Sequence, residues 1–232
     1  MFNTFLNIIF PETCPVCLKK SQDHATAPIC SDCWMTIEPY TGPMCQRCGR
    51  PLVSDSASIC GGCLESEPAF EYARSFGLYD GALRKAINHL KYYGKRRLAG
   101  PLADMMIRMQ LPQADAVIPV PLYGSRHRDR EFNQSALVSR QVAGHLKAEL
   151  IINNLTKTRD TVPQVGLRYK ERIKNVRNAF RVEDGRNISG KKIILVDDVV
   201  TTGSTIRECA KVLKKAGASH VYAVSLAHGV SD

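Results

Sequence analysis

The sequence predicts an α/β fold with a mainly parallel sheet, preceded by a small metal-binding module. Apolar runs at residues 116–118 and 193–196 are typical of strands buried on both faces, and segments with helical periodicity follow them. Eight of the nine cysteines lie within residues 14–63, a segment with too few apolar residues to form a core without metal. We therefore expect the module at residues 1–68 and the α/β domain at residues 69–232.

The charge of the chain is unevenly distributed between these two parts. Residues 1–68 hold four Lys or Arg and seven Asp or Glu, a net charge of −3, whereas residues 69–232 hold 28 and 15, a net charge of +13. Such a surplus favours polyanionic partners, either nucleic acid or a polyphosphate substrate, although an ordinary basic surface would look the same. No apolar run approaches the length of a membrane span. Residues 1–10 lack the basic start and cleavage site of a signal peptide, so we expect a cytoplasmic protein.

The eight clustered cysteines form four Cys-x-x-Cys pairs. Twelve residues separate the first two pairs and eleven separate the last two, a spacing typical of tetrahedral zinc sites. Disulfides are disfavoured without a secretory signal, and redox chemistry does not need four repeats. A cross-braced arrangement of ligands is possible, but a sequential one is our first choice. Two structural Zn²⁺ ions are then bound by Cys14, Cys17, Cys30 and Cys33, and by Cys45, Cys48, Cys60 and Cys63.

Hydrophobic periodicity predicts the elements of the α/β domain in order. They are a strand at 74–79, a helix from Gly81, a helix at 98–109, a strand at 116–121, a helix at 134–146 capped by Asn133, a strand at 150–155, a strand at 193–196, a helix from about Ser204 and a strand at 221–226. The basic stretch 91–97 carries two tyrosines. It suits either base stacking and phosphate binding or a helix end at which cations are favoured.

Two other segments are also rich in cations. The loop at residues 122–132 contains three arginines and a histidine, which suit a pyrophosphate or a nucleic-acid backbone. Residues 156–182 are basic as well, although a solvated helical face explains part of this. The possible anion or DNA contacts are Lys91, Arg126, Arg128, Arg130, Arg159, Gln164 and Arg172.

The segment 193–205 organises the whole domain. Its apolar strand is followed by Asp197 and Asp198, and then by small hydroxyl residues around Gly203. Ligands of open α/β sheets bind at the carboxyl ends of strands, and a glycine turn into a helix suits a phosphate. Carboxylates suit vicinal hydroxyls or a metal ion, so a sugar phosphate satisfies the whole set. The alternative is a structural turn in which one aspartate caps the helix.

At these residues the sequence closely resembles the phosphoribosyl pyrophosphate (PRPP) motif of type I phosphoribosyltransferases. The resemblance implies that Asp197 and Asp198 hold the ribose 2′ and 3′ hydroxyls and that the following loop holds the 5′-phosphate. It also implies a pyrophosphate loop after the strand at 116–118, and Mg²⁺ that bridges the pyrophosphate and the ribose hydroxyls. The residues expected to bind PRPP are Asp197, Asp198, Thr201, Thr202, Gly203, Ser204, Thr205, Val120 and Pro121.

Paired zinc ribbons followed by this motif are similar to the ComF family of competence proteins. The residues that carry the resemblance are the four cysteine pairs, Lys91-Tyr92, Val120-Pro121, Arg128, residues 130–134 (of which Glu131 stands where relatives commonly have glycine), Arg159, Gln164, Leu167, Arg172, Asn175 and Phe180. The resemblance implies a protein that binds PRPP and handles single-stranded DNA in natural transformation, beside a helicase and recombination proteins. The charge of residues 69–232 favours this function independently.

A second function class is an enzyme of the glycosyltransferase class, which moves ribose 5-phosphate from PRPP to a nitrogen base. That reaction passes through an oxocarbenium-like centre and needs charge stabilisation by Mg²⁺, arginines and backbone N–H groups more than a strong base. No segment of the sequence identifies the acceptor base or a catalytic residue. A PRPP-sensing regulator is a third possibility.

Overall fold

The computed structural model describes residues 12–21, 23–54, 56–123, 132–161 and 169–229, without the side chains of residues 169, 170 and 172. The strands within these ranges are β1 (Glu12–Thr13), β2 (Lys20–Ser21), β3 (Tyr72–Leu78), β4 (Ala116–Pro119), β5 (Glu149–Leu150), β6 (Leu155–Lys157), β7 (Phe180–Val182), β8 (Lys192–Val200) and β9 (His220–His228). The α-helices are α1 (Ser31–Met35), α2 (Gly61–Glu65), α3 (Gly81–Tyr92), α4 (Ala99–Ile107), α5 (Gln134–Leu146), α6 (Tyr169–Val176) and α7 (Ser204–Lys215). Two single-turn 3₁₀ helices lie at Arg96–Leu98 and Gly185–Asn187.

A five-stranded sheet with the order β3-β9-β8-β4-β5 forms the centre of the α/β domain, and every neighbouring pair in it is parallel. The predicted mainly parallel sheet is thus confirmed. Side chains alternate across the central strand β8, as the pleat requires. Ile194 and Val196 pack into the cluster formed with α3, α4 and α5, whereas Ile193 and Leu195 pack into the cluster formed with α7. Helices therefore cover both faces of β8, which explains its continuous apolar run.

The helix prediction at residues 134–146 is confirmed together with its cap. The side chain of Asn133 accepts a hydrogen bond from the backbone N–H of Ser135 at 3.0 Å. This bond satisfies one of the free N–H groups at the start of α5. The helix predicted from Gly81 is also confirmed as α3.

Two of the predicted strands differ from the structure by more than two residues at one end. Strand β8 does not end at residue 196 but continues to Val200, because β9 pairs with it as far as the partners Val200 and His228. The strand predicted at 150–155 is wrong. Asn153 adopts a left-handed φ of 68°, which interrupts an extended chain. Strand β5 of the main sheet therefore ends at Leu150, and β6 forms a separate antiparallel pair with β7.

The cysteine-rich module packs directly against the α/β domain. Cys14, Ile29 and Cys30 belong to the same buried cluster as Leu83 and Leu90 of α3. Trp34, which we expect beside the first zinc site, packs against this cluster. The core of the module is therefore continuous with the core beneath the sheet.

The module also covers the outer edge of the main sheet along β3. The backbone N–H of Tyr40 donates to the carbonyl of Phe76 at 2.7 Å, and Ala73 donates to the carbonyl of Arg47 at 2.8 Å. An uncovered strand edge is a template for association with other chains, so these bonds protect β3.

Throughout the described ranges, the helices are too short or too polar to cross a membrane.

Candidate functional site

Two clusters of four cysteines form in the module, and their composition confirms the sequential arrangement. In each cluster the four Sγ atoms lie within 4.8 Å of one another. The Sγ atoms of Cys17 and Cys30 are 3.6 Å apart, and so are those of Cys48 and Cys60. Tetrahedral zinc with Zn–S bonds of about 2.3 Å requires sulfur–sulfur distances of about 3.8 Å. Both clusters therefore fit structural zinc with four protein ligands and no open position.

Backbone hydrogen bonds prepare the first cysteine of each cluster for metal binding. The N–H of Cys60 donates to the Sγ of Cys45 at 3.3 Å. Burial raises the pKa of Cys45, but hydrogen bonds from backbone N–H groups outweigh burial and lower the pKa to about 6. The same balance of burial and backbone bonds lowers the pKa of Cys14 to about 6. Both thiols are thus biased toward the thiolate form that binds zinc.

The acid pair of β8 lies at the carboxyl end of the sheet, beside the end of α3. Asp198 is 8% exposed, and its Oδ1 lies 2.7 Å from the Nζ of Lys91. Burial lowers the pKa of Lys91, but the Asp198 carboxylate outweighs burial and raises that pKa. Lys91 therefore remains a cation and offsets the charge of Asp198. The backbone carbonyl of Lys91 is in turn held by Gln134, whose Nε2 donates at 3.4 Å.

Asp197 occupies a different environment from its neighbour. Its Oδ1 accepts a hydrogen bond from the backbone N–H of Asp198 at 2.8 Å and one from the Ser135 hydroxyl at 3.4 Å. Burial and the nearby charge of Asp198 raise the pKa of Asp197 to about 7, although Lys91 acts in the opposite direction. Near neutral pH, Asp197 is therefore a mixture of two forms. The protonated form can donate a hydrogen bond, and the ionised form only accepts them.

The loop after β8 has the geometry of an anion cradle. Gly203 is the N-cap of α7 with a left-handed φ of 73°, and it has no side chain to cap the helix, although the Thr202 hydroxyl accepts a long hydrogen bond from the Ser204 N–H at 3.4 Å. The alternative in which an aspartate caps α7 is therefore wrong. The hydroxyl groups of Thr202 and Ser204 lie 2.9 Å apart. An added Cβ at Gly203 would meet nothing within 4 Å, so this side of the turn is not packed against the described residues. The N–H groups of such a turn suit an anion.

The end of β4 borders the acid pair, as the resemblance implies. The N–H of Val120 donates to the carbonyl of Val196 at 2.8 Å, and the carbonyl of Val120 accepts from the Asn133 side chain at 3.0 Å. Pro121 follows and is partly exposed. Val120 and Pro121 thus lie one strand away from Asp197, next to the start of α5.

The residues predicted to contact an anion or DNA lie in several different places. Arg126, Arg128, Arg130 and Gln164 lie outside the described residues, and so does the side chain of Arg172. Arg159 donates from Nη2 to the carbonyl groups of Asn175 at 2.9 Å and Arg177 at 2.7 Å, where α6 ends. Lys91 pairs with Asp198. The role of these residues as contacts to an anion or DNA stays a prediction.

Part of the basic stretch 91–97 pairs with the module. Lys95 and Arg97 share one carboxylate oxygen, Glu12 Oε1, at 2.7 Å and 2.6 Å. The guanidinium of Arg96, an exposed residue, lies over the ring of Phe132, 4.5 Å from its centroid. Tyr92 and Tyr93 are 62% and 66% exposed, and the ring of Tyr93 stacks on His89 with the centroids 4.6 Å apart. Arg96 and Tyr92 are thus exposed residues of this stretch that suit nucleic acid.

Sequence reasoning missed Glu12, Ser135 and Arg207, and it singled out Gln134 only as part of the family resemblance, without a place in the site. Gln134 and Ser135 follow the capping residue of a predicted helix, so their position after β4 could have indicated them. Arg207 donates from Nη2 to the Sγ of Cys63 at 2.8 Å and from Nη1 to the carbonyl of Ser66 at 2.7 Å. No local pattern indicates this contact, or that of Glu12, because the partners are distant in sequence.

Comparison with known proteins agrees with both parts of the structure. Residues 5–64 match the double zinc ribbon domain, and residues 122–231 match the phosphoribosyl transferase domain. The chain is 34% identical over 208 residues to competence protein F of Haemophilus influenzae, a match that covers 86% of this chain and 90% of that protein.

Two other relatives match this chain over a similar length. DNA utilization protein YhgH of Salmonella typhimurium is 34% identical over 203 residues, covering 83% of this chain and 87% of that protein. Competence protein ComFC of Streptococcus pneumoniae is 27% identical over 200 residues, covering 85% and 86%. Because these matches run through both the zinc ribbons and the α/β domain, the chain belongs to the ComF family, in which a double zinc ribbon precedes a phosphoribosyltransferase domain.

Proposed function

We propose that this chain binds Mg²⁺–PRPP at the carboxyl end of its parallel sheet and handles single-stranded DNA during DNA uptake. The observation that carries the PRPP part is the juxtaposition of the acid pair of β8 with an open helix N-terminus only a few residues later. Few ligands other than a sugar phosphate need acceptors for vicinal hydroxyls and donors for a phosphate within one turn of chain.

Each part of this site would meet a different part of PRPP. Asp197 and Asp198 accept hydrogen bonds from the ribose hydroxyls, while the N–H groups and hydroxyls of residues 201–205 donate to the 5′-phosphate. Val120 and Pro121 would meet the pyrophosphate. Mg²⁺ would neutralise charge between the pyrophosphate and the ribose hydroxyls, and oxygen ligands of this kind suit it. Lys91 limits the negative charge that the acid pair presents to the phosphates.

The DNA part rests on the relatives and on charge. Two of the relatives are named competence protein F and DNA utilization protein YhgH. Residues 69–232 carry a net charge of +13, which favours a polyanion. We propose single-stranded DNA as this polyanion, with a helicase and recombination proteins as partners in the cytoplasm.

A second candidate is phosphoribosyl transfer to a nitrogen base. The exposed rings of Tyr92 and Tyr93, next to the Lys91–Asp198 pair, favour it because aromatic rings stack on bases. In that reaction the C1–N bond forms as the C1–oxygen bond to pyrophosphate breaks, and the base nitrogen loses its proton. Release of pyrophosphate in the presence of a panel of bases would test it.

Calorimetric titration with Mg²⁺–PRPP tests the proposed site. Changing Asp197 and Asp198 together to Asn is expected to abolish binding while two zinc ions per chain remain. Asp104→Asn, an exposed change of charge on α4, is the matched control and should bind as the wild type does. An unchanged PRPP affinity in the double variant would overturn the site.

Anisotropy of a labelled single-stranded oligonucleotide, measured over a salt series with and without Mg²⁺–PRPP, tests the DNA function. Binding that weakens steeply with salt would show that phosphates are neutralised, with a slope of about −0.7 per contact. Absence of binding at physiological salt would contradict the DNA function and leave the transferase candidate.

A further inference from the structure

Arg207 connects the second zinc site with the loop of residues 201–205, which we call the phosphate loop. Its backbone N–H donates to the carbonyl of Gly203 at 2.9 Å, so it lies in the first turn of α7. Its guanidinium reaches into the ribbon, with Nη2 2.8 Å from the Sγ of Cys63 and 3.4 Å from the carbonyl of Gly62. Nη1 donates to the carbonyl of Ser66 at 2.7 Å. One residue of α7 thus holds three groups around α2, which carries a zinc ligand.

The chemistry of a four-cysteine site explains why an arginine suits this position. Four thiolates around Zn²⁺ leave a net charge of −2, and a hydrogen-bonded cation offsets part of that charge. The planar fork of the guanidinium can donate to a sulfur and to carbonyl oxygens at once, which an ammonium cannot do with the same geometry. Hydrogen-bond partners of metal ligands typically contribute about 10-fold to 100-fold in metal affinity.

The distance between the two sites along α7 is short. Gly203 and Arg207 are four residues apart, which corresponds to about 6 Å of helix rise. Both residues belong to one hydrogen-bonded turn, because the Arg207 N–H donates to the Gly203 carbonyl at 2.9 Å, so a shift of the Arg207 backbone moves the start of the helix with it. The open cradle at Gly203 has no side-chain cap of its own to hold it in place.

We propose that Arg207 is a positioning residue through which zinc in the Cys45, Cys48, Cys60 and Cys63 site raises the affinity of the phosphate loop for Mg²⁺–PRPP. This inference rests on the proposed function. Coupling between two binding events is reciprocal, so PRPP must in turn retain the zinc of this site. The zinc ribbon is then part of the ligand-binding machinery as well as a structural module.

Equilibrium competition with a chromogenic zinc chelator tests the coupling in the intact protein. In the wild type, saturating Mg²⁺–PRPP is expected to raise the zinc affinity of one of the two sites by at least about fivefold, the lower end of typical coupling between sites. The other equivalent belongs to the first site and serves as an internal reference.

Variants of Arg207 locate the coupling. Arg207→Gln is expected to bind one zinc equivalent about 10-fold to 100-fold more weakly, with no gain in zinc affinity from PRPP, and to bind Mg²⁺–PRPP at least about fivefold more weakly. Arg207→Lys retains the charge but not the fork and should fall between the two. Lys211→Gln removes an exposed cation one turn further along α7 and should match the wild type.

The possible outcomes distinguish a failure of this inference from a failure of the proposed function on which it rests. If the wild type binds Mg²⁺–PRPP but the zinc affinity of both sites is the same with and without PRPP, the coupling is overturned and the proposed site stands. If the wild type does not bind Mg²⁺–PRPP at all, both are overturned. Because the wild-type measurement needs no substitution, the test remains decisive even where a variant fails to fold.

Discussion

Replacing Asp197 by Asn should make the protein more stable, and increasingly so as the pH rises. Burial and the charge of Asp198 raise the pKa of Asp197 from its ordinary value of 3.8 to about 7. The folded protein therefore holds more protons than the unfolded chain between these pH values, and its free energy of unfolding falls as the pH rises through this window. Above pH 7, the ionisation of Asp197 in the folded protein lowers the free energy of unfolding by about 4 kcal/mol in full.

The Asp197→Asn variant would lack this cost because an amide does not ionise, while the amide oxygen can still accept the bond from the Asp198 N–H. Urea denaturation of wild type and Asp197→Asn in zinc-containing buffer measures the difference. Between pH 5 and pH 8 the advantage of the variant in free energy of unfolding is expected to grow by about 3 kcal/mol.

A surface acid provides the control for this experiment. Hydrogen bonds from Thr156 and Arg181 lower the pKa of Glu183 from 4.5, so its contribution to stability is lost only as the pH falls below this range. Glu183→Gln should therefore show a constant difference from wild type between pH 5 and pH 8. An Asp197→Asn difference that is equally constant, or that shrinks as the pH rises, would refute the assignment of the raised pKa.

Three further substitutions test how the site is held. Glu12→Gln weakens the contacts with Lys95 and Arg97 and should lower the free energy of unfolding by about 2 kcal/mol; a loss no larger than that of Glu183→Gln in urea denaturation would contradict this. Gly203→Ala should lower the free energy of unfolding by only about 1 kcal/mol, because the added Cβ meets nothing. Gly49→Ala should lower it several times more, because the added Cβ would lie 2.5 Å from a backbone oxygen of β3. Equal shifts in thermal midpoint for the two variants would be inconsistent with this packing. Asn133→Ala should cost about 1 kcal/mol, and Asn133→Ser, which can still cap α5, should cost clearly less in the same assay.

Local patterns were sufficient for the elements whose cause is local. The apolar run of β8, the cap of α5 and the glycine turn before α7 are each determined by neighbouring residues, and each was predicted. The end of β8 was not, because continued pairing with β9 keeps the two aspartates within the strand. The strand predicted at 150–155 failed because apolar residues at both ends concealed the left-handed Asn153 between them.

The electrostatic contacts of the site lie beyond what a sequence pattern can indicate. Lys95 and Glu12 are 83 residues apart, and Arg207 and Cys63 are 144 apart. Lys91 was singled out from the basic stretch as a possible anion contact, yet this residue of α3 pairs with an aspartate of strand β8. Only the fold brings these charges together, so composition predicts the surplus of cations but not which of them are neutralised.

The pairing of β3 with β9 has a consequence for how the chain is made. Ser75 and Ser225, partners in these two strands, are 150 residues apart, so β3 leaves the ribosome roughly 8 to 30 s before its neighbour at typical rates of synthesis. During that interval the inner edge of β3 is unpaired, and the ribbon that covers its outer edge has already been synthesised. Zinc supply to the nascent chain therefore determines how much of this strand is exposed to other chains, well before any PRPP site has formed.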